Sequence, residues 1–99
     1  MEMLKVSSGS DPSATAGAIA NGIRERGQTE MQVIGPRAVN QAVKAIAIAR
    51  GYLAASAVDL YFVPNFSGVV IDDQEKTAIH FAIRTRHPVS TSTAPGGIL

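Results

Sequence analysis

The sequence predicts an α/β chain of the α+β, two-layer kind, with element order β-α-β-α-β-β and both helices on one face of a four-stranded mixed sheet. Two strand–helix units in succession imply a parallel strand pair joined by right-handed crossovers. The two apolar-alternating runs that close the chain imply an antiparallel hairpin. With 99 residues, 45% hydrophobic and 17% charged, the chain has the make-up of one small globular domain with one core.

The first strand is short, Met3–Ser7, and ends in the loop Ser8-Gly9-Ser10. Asp11-Pro12 then supplies a capping oxygen and a ring whose fixed φ suits the first helical position. Over Ser13–Arg26, Ala16, Ile19, Ala20 and Ile23 share one helical face, and Gly27 is the expected stop. Gly17 and Gly22 weaken this helix, so close packing is expected against them. Met31–Ile34 reads as the second strand, broken by Gly35-Pro36.

The second helix spans about Arg37 to Leu53, with a soft end near Gly51. Val39, Ala42, Val43, Ile46, Ala49 and Leu53 form its apolar arc, while Arg37, Asn40, Gln41 and Lys44 form the opposite one. Ile48 falls among the polar residues, and Arg50 falls on the core side near the C-terminal end. Val58–Val63 is the third strand, interrupted at Pro64-Asn65 and continued over Phe66–Ile71. After the turn Asp72-Asp73-Gln74-Glu75, Lys76–Arg86 returns with Thr77, Ile79, Phe81 and Ile83 on one face. Lys76, His80, Arg84 and Arg86 stand on the other. Residues 1–87 are expected to form the domain and residues 88–99, uncharged and poor in apolar residues, a flexible C-terminal tail.

A formal charge of +1 excludes a bulk polycation, so a nucleic-acid site must come from local charge segregation. The absence of cysteine excludes a disulfide scaffold and a thiolate metal site, which fits a reducing compartment. Met1–Lys5 lacks the apolar run of a signal peptide, and no stretch is long enough to span a bilayer. A cytoplasmic protein is expected, without a membrane partner.

The candidate chemical motifs have simpler explanations. Gly22–Thr29 has the spacing of a phosphate-binding loop, but Gln28 replaces the lysine and the segment runs from helix to strand rather than the reverse. His80 and His87 lack a third ligand, and a solvated strand histidine is the expected state of His80. Asp72, Asp73 and Glu75 suit a polar hairpin turn. Ser7, Ser8 and Ser10 have no neighbouring base in sequence, and Asn65-Phe66-Ser67 is a glycosylation sequon without a secretory signal. Neither catalytic residues, nor a metal, nor a cofactor, nor a small-molecule substrate is expected.

What stands out is charge distribution. Between Met31 and Val58 there are three basic residues, Arg37, Lys44 and Arg50, and no acidic one. Arg37, Asn40, Gln41 and Lys44 share a face near a helix N-terminus, whose dipole favours anions, and form the candidate nucleic-acid-binding set. Ile48 and the hairpin residues Phe66, Val69 and Val70, with Tyr61 beside them, form the candidate oligomer interface. A twofold dimer is expected, or a tetramer made by doubling it.

The segment Gly35-Pro36-Arg37-Ala38-Val39-Asn40-Gln41-Ala42-Val43-Lys44, continued by Ala45-Ile46-Ala47-Ile48-Ala49-Arg50-Gly51, resembles the stage V sporulation protein S family. Leu4-Lys5-Val6-Ser7, Ile23-Arg24-Glu25-Arg26-Gly27, Val58-Asp59-Leu60, Ile71-Asp72-Asp73 and Glu75-Lys76-Thr77-Ala78-Ile79 match as well, so the resemblance covers about residues 1–86. It implies an Alba-like fold and a non-enzymatic role in the regulation of spore development. Alba proteins bind DNA or RNA as dimers, through a basic loop-and-helix surface and hairpin arms. Two features depart from that pattern: Ser8–Pro12 lacks paired lysines, and the hairpin tip Asp72–Glu75 is acidic. The expectation is a regulatory protein binding nucleic acid as a homodimer. The alternative is a protein–protein interaction module in the same pathway.

Overall fold

The structure, a computed structural model, describes residues 3–86. His87 and the tail expected over residues 88–99 lie outside the described residues. The order is β1 (Met3–Val6), α1 (Pro12–Arg26), β2 (Gln28–Val33), α2 (Pro36–Ala54), β3 (Asp59–Ile71) and β4 (Gln74–Arg86). Spatially the strands run β1-β2-β4-β3, with β1 and β2 parallel and the other two pairings antiparallel.

Pro64 and the alternation of β4 explain why the second strand of the hairpin, not the first, pairs with β2. Pro64 pairs in register with Phe81 and has no N–H to give a second neighbour, so β3 suits an edge. Ile79, Phe81 and Ile83 give β4 an apolar face fit for the sheet interior, and Phe81 and Ile83 are buried. The expected break at Pro64-Asn65 is absent: β3 runs unbroken through both residues because pairing along β4 holds them extended. The turn shortens to Asp72 and Asp73, at φ 53° and 64°, the backbone of a two-residue hairpin loop; Gln74 and Glu75 belong to β4.

Both helices join the strand residues Val6, Met31, Val33, Leu60, Phe81 and Ile83 in one core, and the rings of Phe62 and Phe81 stack at 4.6 Å. Pro12 opens α1 as expected, but Asp11 makes no side-chain cap; its carbonyl accepts from Thr15 N–H instead. Gly27 ends α1 at φ 78°, donating to the Ile23 carbonyl at 2.8 Å. Of the two internal glycines, Gly22 alone is crowded: a Cβ there would stand 2.3 Å from Thr29 Oγ1, whereas one at Gly17 would meet nothing within 4 Å. β2 starts at Gln28, earlier than the apolar pattern indicated, because Gln28–Glu30 pair with Ala82–Arg84.

The buried arc of α2 is rotated from the predicted one. Ala38, Ala42, Ala45, Ile46, Ala49 and Leu53 are buried, while Val43 is 42% exposed. The cause is that α2 packs along α1 as well as on the sheet, with alanines at the close approach. Ile48 consequently packs partly against the core of its own chain instead of standing on a solvated face. The helix also continues through Gly51 to Ala54, since Leu53 is needed in the core.

Candidate nucleic-acid interface

Because β1 and β2 are parallel and each leads into a helix, the N-termini of α1 and α2 emerge at one end of the domain. The hairpin runs past that end. β2 finishes with Val33 opposite Ile79, whereas β3 and β4 stay paired out to Ile71 and Gln74. Strand ends, helix N-termini and a projecting arm therefore meet in one region.

On α2, Arg37, Asn40 and Lys44 are exposed, and Arg37 lies in the first turn. Among the described residues, neither Arg37 nor Lys44 has an ion-pair partner. Gln41, the fourth predicted member, is half-buried and occupied. Its Nε2 donates to the Ser10 carbonyl at 3.1 Å and approaches that of Ser8 at 3.5 Å. The loop it holds is tied internally, with Ser7 N–H donating to Ser10 Oγ at 2.9 Å and Ser10 N–H to the Ser7 carbonyl at 3.1 Å. These serines shape a turn.

Two other arginines, Arg50 on α2 and Arg86 at the end of β4, are engaged. Asp59 receives Arg50 Nε at 2.7 Å and Arg86 Nε at 3.2 Å. Burial alone would raise the Asp59 carboxyl; bonds from Arg50, the Leu60 backbone and Arg86, with the Arg50 charge, outweigh it and hold the pKa below the ordinary aspartate value. Arg50 is thus an exposed ion-pair partner of β3, not a core-side residue.

On the sheet face away from the helices, Glu30 is only 4% exposed. Its Oε1 lies 2.5 Å from His80 Nε2, and Arg84 Nη2 lies 2.7 Å from Oε2, close enough for charge contact but out of line for a hydrogen bond. His80 is therefore half-buried and partnered rather than solvated. Sequence reasoning missed Glu30. The signal was a carboxylate inside the paired run Thr29-Glu30-Met31, legible only once β4 was known to flank β2. Among the described residues no group of three or more potential ligands could hold a metal.

Of the predicted interface residues, Phe66 is 83% and Val70 70% exposed on the arm, Val69 is half-buried, and Ile48 packs inward as above. Of the two alternative surfaces the sequence offered, Ile48 lies on α2 and the Phe66–Ile71 segment on β3.

The described residues thus form a small α+β domain that carries an exposed basic face on α2 and a hairpin extending past the end of β2. Residues 2–86 match the family described as stage V sporulation protein S (SpoVS), and the chain belongs to that family. Membership supports a sporulation-related regulatory role, in a family not known as enzymatic. Among the described residues no helix is long and apolar enough to cross a membrane.

Proposed function

We propose that this is a non-enzymatic regulatory protein of sporulation-type development that binds nucleic acid, DNA or RNA, as a homodimer in the cytoplasm. The observation that carries the reading is the pair Arg37 and Lys44, both exposed on the N-terminal half of α2 without a carboxylate to neutralise them. Asn40 stands between them as a hydrogen-bonding side chain, and Gln41 supports the face from behind through Ser10. Dimerisation doubles a patch that is small in one chain.

The test is retardation of duplex DNA and of RNA over a salt series. Contact with six phosphates per dimer gives a log–log slope near about −5. Lys44→Glu is expected to abolish retardation at low salt. Binding untouched by that substitution, or flat with salt, excludes this face.

A second reading has its own observation. The acidic tip at Asp72 and Asp73 and the exposed Phe66 and Val70 suit a protein partner better than a phosphate backbone. Wild-type protein that retards no nucleic acid at low salt favours an interaction module instead.

A further inference from the structure

The outer edge of β3 is unusual in what it lacks. From Leu60 to Ile71 it carries no charged residue, although exposed edges are ordinarily guarded by charge, and Pro64 is its one blocking residue. Phe66 and Val70, at 83% and 70% exposure, are its most exposed large apolar side chains.

Backbone direction along β3 follows from two independent features. The two-residue loop Asp72-Asp73 makes Ile71 and Gln74 the closing hydrogen-bonded pair, so alternate residues back from Ile71 face β4. Pro64, paired with Phe81, cannot donate to β4 and must turn its nitrogen outward, which gives the same phase. Phe66, Gly68 and Val70 therefore direct their backbone N–H and C=O groups away from β4, toward solvent.

We infer that β3 pairs antiparallel with β3 of a second copy of this chain, about a twofold axis at Gly68. The inference rests on the homodimer of the preceding section and specifies its interface. Gly68 lies midway between the two obstacles, Pro64 on one side and the turn residue Asp72 on the other. An axis at Phe66 would bring Pro64 into the ladder, and an axis at Val70 would run the ladder into the turn. Centred on Gly68, each Phe66 stands opposite Val70 of the other copy, and the glycines face each other with no side chains to collide. Each hydrogen-bonded pair exchanges two bonds, so the three pairs supply about six. The two large apolar pairs fall on one face, in the self-complementary arrangement a twofold demands. No charged residue opposes a like charge within this stretch.

The register is tested by charge exchange within one chain, with mass followed by sedimentation equilibrium over a micromolar range. Phe66→Lys alone and Val70→Glu alone are each expected to weaken the dimer by about tenfold or more, since each places a charge against an apolar partner. The double variant Phe66→Lys/Val70→Glu sets ammonium against carboxylate twice and is expected to recover dimerisation to within about threefold of wild type. Both sites are exposed, so thermal melts of the variants report whether the monomer fold is kept. Single variants that dimerise like wild type overturn this interface while leaving a homodimer in place. A double variant as weak as the single ones overturns the Gly68 register. A wild-type monomer throughout removes the homodimer itself, and retention of nucleic-acid retardation by the double variant separates the interface from the binding face.

Discussion

The Gln41 amide donates to the Ser10 carbonyl at 3.1 Å, tying the exposed face of α2 to the loop between β1 and α1 across 31 residues of sequence. Two segments that would flank a bound ligand are thereby held as one surface. Gln41→Ala is expected to release the loop. The measurement is amide hydrogen exchange at Ser8–Asp11, which should quicken while exchange in α2 stays slow, with a stability loss of about 1 kcal/mol. Unchanged loop protection would show the bond to be incidental.

The two glycines of α1 should respond in opposite directions. Gly22→Ala drives a methyl to 2.3 Å from Thr29 Oγ1, whose hydroxyl sits in the buried α1–β2 contact and donates to the Ile19 carbonyl. A loss of about 1–3 kcal/mol is expected by urea denaturation. Gly17→Ala meets no neighbour and should stabilise by about 0.5–1 kcal/mol.

Removing Glu30 deprives His80 and Arg84 of their shared carboxylate on the open sheet face. Glu30→Ala is expected to destabilise by about 3 kcal/mol, the lower end for a broken buried pair, because both partners keep partial access to water. A double-mutant cycle with Arg84→Ala should show coupling above about 0.5 kcal/mol. Strict additivity would mean that the cluster is not an energetic unit.

Asp59 links stability to acid. Its folded pKa lies below the unfolded value, so its contribution is fully present above about pH 4 and is lost as pH falls through the folded value. With Arg50 54% and Arg86 61% exposed, solvent screening keeps the effect below about 1 kcal/mol. Asp59→Asn should narrow the gap in unfolding free energy between about pH 6 and about pH 3. An unaltered gap assigns the acid sensitivity to other carboxylates.

Periodicity and chain punctuation are local, and what depended on them was legible from residues alone. The three-four spacing of Ala16, Ile19, Ala20 and Ile23, the stop at Gly27 and the alternation of Ile79, Phe81 and Ile83 each concern neighbours a few positions apart. Element order, the layer of two helices and the basic composition around α2 follow from them. Contacts between distant segments were not legible, because side-chain spacing says nothing about which strand lies beside which. That β4 enters between β2 and β3 decides that Glu30 meets His80, fifty residues on, and that Pro64 stands on an edge. That α1 lies along α2 decides that Ile48 turns inward and Val43 outward. Local sequence wrote the elements and left Arg37 and Lys44 unopposed within theirs. Only tertiary packing, which sets burial and electrostatic partners together, brought Arg50 and Arg86 to Asp59 and Arg84 to Glu30 while leaving Arg37 and Lys44 facing water.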